Sequence, residues 1–404
     1  MKNEENAKPH LILNFDINKT IILRDKSKNL DVESGIKSCL VDYAWGVFDE
    51  ILRKWSLTEN YLTHKKPKEN LVNYYYYIKT LYPLKTKEEI PDKEERFKKN
   101  EEIKKIKDNL FLTFIDKGQP GENLNNHYLE ILNKLKLSEK IVREINRENS
   151  KYPSFFKTLF ENNYIYMFYS FFHLMIELQR KNRTFAIIFR TFGYDFDDVI
   201  KEFNSFCEGN HPAFTGENEK RPKIFFDGTN GSKDYKIREN NKGVIYRFDE
   251  DINNIFLVLG TLERINVKHI EELFTFYDEL IDQRKIKIIR GGTNIFKFIN
   301  ENSLNGKINS FCLIDDYEAW YKYDKNSICG KPILIDPENK DIKVFCFDDN
   351  IENGNKSIVD CRNAINGDVI ESKIIKNKYL IMTDTLKAAQ EENYFLDLIE
   401  NDEK

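Results

Sequence analysis

Residues 11–20 read Leu-Ile-Leu-Asn-Phe-Asp-Ile-Asn-Lys-Thr, an apolar run that stops on Asp16 and carries Asn18 and Thr20 at alternate positions beyond it. Short, nearly continuous apolarity is the pattern of a strand buried on both faces of a parallel sheet. A carboxylate at its end stands at the sheet rim, where open α/β folds bind ligands. If the extension persists past the strand, Asp16, Asn18 and Thr20 lean the same way. Phosphoryl transfer to a protein needs a carboxylate nucleophile, a divalent cation and a polar group for the phosphate oxygens. Asp16 offers the first and a ligand for the second.

Two further segments extend this reading. Residues 184–191, Thr-Phe-Ala-Ile-Ile-Phe-Arg-Thr, form a second apolar strand pattern ending in a hydroxyl, with Gly193 just beyond and an amphipathic helix pattern from Asp197 to Phe206. Residues 343–350, Lys-Val-Phe-Cys-Phe-Asp-Asp-Asn, form a third and end in adjacent carboxylates. Upstream, Gly330 and Lys331 place a lysine in a turn. In the order strand-Asp, strand-Thr, Lys, strand-Asp-Asp, the chain resembles the haloacid dehalogenase-like (HAD) superfamily.

That resemblance implies a role for each position. Asp16 matches the nucleophile that becomes an aspartyl-phosphate, and Thr191 the hydroxyl that binds the transferred phosphoryl group. Lys331 matches the lysine that neutralises nucleophile and phosphate, with Lys322 and Lys325 near enough to compete. Mg²⁺ is the implied cofactor, held by Asp16, the Asn18 backbone carbonyl and the pair Asp348 and Asp349, with Asp349 favoured as the direct ligand. The implied fold is α/β, a doubly wound, mainly parallel Rossmann-like sheet with a large helical cap insertion and a β-hairpin elaboration. Residues 1–24 and 180–404 form the core, with a hairpin-bearing insertion at about 210–265. Residues 25–179 form the mostly helical cap.

Asn18 departs from the family pattern. Hydrolytic members carry a second Asp there, which protonates the leaving group and then activates water; an amide exchanges no proton at neutral pH. General acid–base catalysis contributes about two to four orders of magnitude in rate, so Asn18 affects turnover more than phosphate binding. The expected function is a Mg²⁺-dependent phosphohydrolase or phosphotransferase acting on a phosphorylated small molecule or phosphoprotein. The alternative is a catalytically impaired relative that binds a phosphorylated ligand or protein partner.

Competing motifs fit less well. Phe225-Phe226-Asp227-Gly228-Thr229 runs into a turn-rich loop without acidic or lysine partners in order. Asp315 and Asp316, after the apolar run from Ser310 to Ile314, rival the acidic pair, but they would demand a lysine from around Lys297 or Lys307. Arg290-Gly291-Gly292 precedes a helix pattern and reads as a loop into that helix, with Arg290 a candidate for substrate phosphate.

The chain has 404 residues, 40% of them apolar and 13% aromatic, enough for more than one core. Lys and Arg number 63 against 67 Asp and Glu, so a net charge of −4 gives no general attraction for nucleic acid or an acidic membrane. The six cysteines show no zinc spacing and the six histidines are scattered. With a polar amino terminus and no apolar run of spanning length, the expected compartment is the cytoplasm.

Between the first two strands the patterns are helical: Val32 to Trp55, Tyr74 to Tyr82, Leu124 to Ile145 and Tyr152 to Leu178, with a charged Lys85 to Lys107 between them. Within residues 233–259, Asp234 to Phe248 read as a hairpin turning at Asn240 to Gly243, and Asn254 to Leu259 offers another strand. Ser357 to Asp360 and Tyr379 to Met382 are expected to complete the sheet, followed by a terminal helix from Leu386 to Ile399.

Overall fold

The computed structural model describes residues 8–24, 30–58, 62–160, 162–193, 195–217, 221–283, 285–351, 357–375 and 378–402. The chain divides into two compact units. One comprises Met1–Ile22, Leu137–Thr383 and Glu391–Lys404; the other comprises Leu23–Lys136 and Asp384–Gln390. Residues 137–179, expected in the helical insertion, thus cluster with the sheet-bearing unit.

The strands, in chain order, are β1 (His10–Asp16), β2 (Trp45–Asp49), β3 (Lys54–Leu57), β4 (Val72–Asn73), β5 (Phe185–Thr191), β6 (Lys242–Arg247), β7 (Ile255–Leu259), β8 (Lys287–Arg290), β9 (Ser310–Ile314), β10 (Lys331–Ile335), β11 (Ile342–Asp348), β12 (Val359–Asn363) and β13 (Leu380–Met382). Among the described residues the first unit is α/β, with an eight-stranded sheet in the order β13-β11-β1-β5-β9-β6-β7-β8. Pairing is parallel from β13 through β6 and antiparallel for β6–β7 and β7–β8. β1 is buried along its whole length, as its sequence requires.

Alternation splits β1 between two packing environments. Phe15 stacks on Phe347 at 4.8 Å and meets Phe171 and Phe395 edge-on, both at 5.2 Å, which seats the helices Tyr169–Arg180 and Tyr394–Asp402. Ile12 belongs to a cluster with Ile188, Val344, Cys346 and Ile295 that also takes in Ile333, Ile335, Val359 and Cys361. Those last four lie on β10 and β12, which pair with each other in a separate two-stranded parallel sheet. Apolar burial therefore holds this small sheet, and the lysine at its start, against the face of the large one.

Several sequence expectations need correction. Lys331 opens strand β10 instead of lying in a turn, because its N–H bonds Ile358 O at 2.8 Å. Gly330 is required beside it: a Cβ there would lie 2.2 Å from the same carbonyl. The segment Ser357 to Asp360 contributes to β12, paired with β10, and does not join the large sheet. The hairpin is formed by β6 and β7 within the large sheet and turns at residues 248–254. Residues 234–238 form no strand: Tyr235 instead donates through its hydroxyl to Phe185 O at 3.1 Å, while β6 is taken up in parallel by β9. The terminal helix is two helices, Thr385–Gln390 and Tyr394–Asp402.

In the second unit, the helix expected from Val32 to Trp55 stops at Tyr43. Trp45 and Trp55 then enter the antiparallel sheet β3-β2-β4. Aromatic packing overrides helical periodicity here: Trp55 meets Tyr74 at 5.1 Å, and Tyr74 stacks on Phe114 at 4.3 Å. The four-tyrosine run thus anchors this unit's own core through Tyr74, whereas Tyr76 is exposed. Helix Lys93–Leu112 buries none of its residues. Among the described residues no helix is long and apolar enough to cross a membrane, and all six cysteines are buried thiols.

Candidate functional site

The strand order reverses at β1, because the chain reaches β5, β9 and β6 on one side of it and β11 and β13 on the other. The carboxyl edge beside such a switch point is where an open parallel sheet leaves a crevice. Three of the sequence candidates end the strands there. Asp16 ends β1, Thr191 ends β5 and Asp348 ends β11, with Asp349 following. The register Phe15 with Phe347 sets Asp16 level with Asp348.

Lys331 reaches the same point from β10. Its Nζ donates to Asp16 Oδ1 at 2.5 Å and to Asp348 Oδ2 at 2.6 Å. Asp348 Oδ1 also accepts from Asn350 N at 2.8 Å, while Asp349 Oδ1 accepts from the Asn350 side chain at 2.8 Å. Asp16 and Asp348 are buried and Asp349 is half-buried. One carboxylate oxygen from each of the three lies within 4.8 Å of the others.

Burial and charge crowding in this space perturb Asp16, Asp349 and Lys331. Burial pushes the Asp16 carboxyl up to about 7, with Lys331 pulling it down and Asp348 adding to the rise. Burial, then the charges of Asp348 and Asp16, hold Asp349 well above the usual carboxylate range. For Lys331 burial alone would favour the neutral amine, but Asp16, Asp348 and Asp315 outweigh it and hold the ammonium above the ordinary lysine range. The three hard carboxylate donors outnumber the one ammonium paired with them, a donor set that fits Mg²⁺.

The loop after β1 differs from the expected extension. The strand ends at Asp16, and the N–H groups of Thr20, Ile21 and Ile22 all bond Ile17 O, closing a tight turn in which Lys19 takes φ 60°. Thr20 Oγ1 is folded back towards Asp16 Oδ2 at 3.4 Å. Asn18 donates through Nδ2 to Asp195 Oδ2 at 2.9 Å. Thr191 Oγ1 accepts from Gly193 N at 2.9 Å, which leaves its own proton to donate outward.

The rival motifs are absorbed elsewhere. Asp315 forms a buried, two-point ion pair with Arg190. Asp316 caps helix Tyr317–Lys322 through Ala319 N at 2.9 Å and accepts from Arg247 N at 2.8 Å. Asp227 accepts from Thr229 N and Oγ1 within its own turn. Arg290 bonds Asn253 O and Asn254 Oδ1 on the far side of the sheet, with β5, β9, β6 and β7 between its strand and β1.

Two residues of the surroundings were passed over in the sequence. Arg190 donates to Pro332 O at 3.2 Å from both terminal nitrogens, tying the start of β10, and so Lys331, to β5. Its signal was a lone cation in an apolar strand, which burial obliges to find a carboxylate partner. Asp195 carried no comparable signal; it lies at the start of helix Phe196–Cys207 without capping it, its carboxylate accepting from Asn18 instead.

Lys331→Met leaves Asp16 and Asp348 buried without their cation. The expected loss is about 3–5 kcal/mol of unfolding free energy at pH 7 without Mg²⁺, measured by chemical denaturation. A loss below about 1 kcal/mol would mean the cluster is not held by this charge.

Compared with models of known protein families, with curated proteins and with solved structures, the chain matches none.

Proposed function

We propose that the sheet-bearing unit is a HAD-like, Mg²⁺-dependent phosphohydrolase or phosphotransferase working through an aspartyl-phosphate at Asp16. The observation that carries this reading is the convergence of Asp16, Lys331, Asp348 and Asp349 at one point of the carboxyl edge, with Thr191 on the neighbouring strand end. The reading takes the sheet as doubly wound and Rossmann-like, and the segment from Leu23 to Lys136 as the cap insertion, since it follows the first strand in the chain.

Each residue has a defined task. Asp16 attacks phosphorus through one carboxylate oxygen while the bond from phosphorus to the substrate oxygen breaks. Lys331 favours the ionised form of Asp16 against burial and offsets the approaching phosphate charge. Thr191 donates its hydroxyl proton to a phosphoryl oxygen. Asp16, Asp348 and Asp349 would hold Mg²⁺, which when bound supplies positive charge against the phosphoryl oxygens. Asn18 neither gives nor takes a proton, so both stages are slowed; with an acyl phosphate, whose leaving group needs no protonation, hydrolysis of the aspartyl-phosphate is the slower stage and the covalent form accumulates.

The direct test is covalent phosphorylation of Asp16 by a small acyl phosphate with Mg²⁺, read as a mass increase on the peptide carrying residues 11–20 after acid quench. Absence of the adduct in folded protein that binds Mg²⁺ would favour the phospho-ligand-binding alternative. The metal step has its own pH signature. Because burial and crowding hold both Asp16 and Asp349 up in the metal-free protein, Asp16 to about 7, Mg²⁺ must displace protons, and affinity is expected to fall at least about tenfold per pH unit below 7. The sign follows from the raised value: in the metal-free protein the Asp16 contribution to stability is present below the unfolded value and lost as pH rises towards 7. Calorimetric titration between pH 5.5 and 8 checks it, and a flat affinity would exclude Asp16 as a ligand.

A further inference from the structure

The rim of the crevice continues past the phosphoryl-transfer residues. In the sheet order β11-β1-β5-β9, the strand ends run from Asp348 through Asp16 to Thr191 and Phe192 and then to Asp315, Asp316 and the helix Tyr317–Lys322. That helix is fixed at its start by Asp316, which also pairs with Arg264. Its rings form a contiguous wall. Phe192 stacks on Trp320 at 5.3 Å and meets Tyr317 edge-on at 5.8 Å; Tyr317 stacks on Tyr321 at 6.0 Å. The wall abuts the reactive centre, because Lys331 Nζ lies 5.3 Å from the Phe192 ring centroid.

Three features mark this wall as more than core packing. Tyr317 is 40% exposed and Tyr321 is 60% exposed, so large aromatic faces stay in solvent beside a charged site. The Trp320 indole N–H is buried without an acceptor. Lys325 lies 5.7 Å from the Trp320 centroid and 6.0 Å from that of Tyr321, so the wall itself carries a cation that favours an anionic ligand.

We infer that the substrate of this site is a phosphomonoester whose alcohol portion carries a planar aromatic group, stacked on the Phe192–Tyr317–Trp320 wall while its phosphate faces Asp16 and Lys331. The inference rests on the phosphoryl-transfer reading of the same site and adds the substrate class to it. Offset or edge-on ring contact gives an aromatic ligand affinity that an alkyl ligand cannot match.

The test uses non-transferable probes, phenylphosphonate and methylphosphonate, titrated calorimetrically into the full chain with saturating Mg²⁺. Wild type is expected to bind the phenyl compound about tenfold more tightly or better. Tyr317→Ala, at an exposed position, and Trp320→Leu should each bring that ratio towards unity while leaving methylphosphonate affinity within about twofold. Equal affinities in wild type, or an undiminished ratio in both variants, overturn the inference and leave the phosphoryl-transfer reading standing. Binding of neither phosphonate overturns both. A phosphotyrosine peptide and a purine nucleoside monophosphate, compared as competitors of phenylphosphonate, distinguish a protein-borne ring from a free one.

Discussion

Asp16→Asn is expected to lower Mg²⁺-dependent phosphate release from small phosphomonoesters by at least about a thousandfold and to abolish covalent phosphorylation. The amide is nearly isosteric and can still accept from Lys331, so the fold should survive, but it has no anionic oxygen with which to attack phosphorus. Mg²⁺ affinity should fall as well, because one of three charged ligands is gone. Phosphate release that persists in the purified variant would place the chemistry at another group. A phosphorylated Asp348 or Asp349 would mean that the nucleophile had been misassigned within the cluster.

Asn18→Asp acts in the opposite direction. It introduces a group able to protonate a leaving oxygen and to take a proton from water, with an expected gain in steady-state turnover of about ten- to a thousandfold. The neighbouring Asp195 shapes this outcome. Its Oδ2 accepts from Asn18 Nδ2 at 2.9 Å, so the new carboxyl would meet a carboxylate and the two would share one proton. Sharing favours the protonated form needed for the leaving group and costs some of the base strength needed for water. The gain should therefore show most strongly with alkyl phosphates, which need a protonated leaving group, and least with acyl phosphates. Combining the change with Asp16→Asn should remove the gain. No increase in a folded Asn18→Asp protein that binds Mg²⁺ would favour the binding alternative.

The departures from expectation share one cause. Lys331 was legible as a residue at the right point in the chain, but its approach from a separate two-stranded sheet depends on Ile333, Ile335, Val359 and Cys361 packing against the large sheet. Asp315 was legible only as a rival metal carboxylate; the adjacency of β5 and β9 brings it to Arg190, which takes it up in a buried ion pair. The extension that would carry Asn18 into line with Asp16 does not persist beyond the last ladder residue. Backbone bonding to Ile17 O turns the chain there, and Asp195, 177 positions away, captures the Asn18 amide.

Local information in the sequence was sufficient for β1, β5, β9 and β11, because a strand buried on both faces must be apolar almost throughout and its terminal polar residue must stand at the rim. It was also sufficient for the positions of Asp16, Thr191, Asp348 and Asp349 at strand ends. The tertiary structure alone decided which strands are neighbours, where Lys331 enters, which way Asn18 faces and which rings line the rim. Those features arise from contacts between residues far apart in the chain, and periodicity, which reports only a residue's own element, carries no record of the partner it will meet.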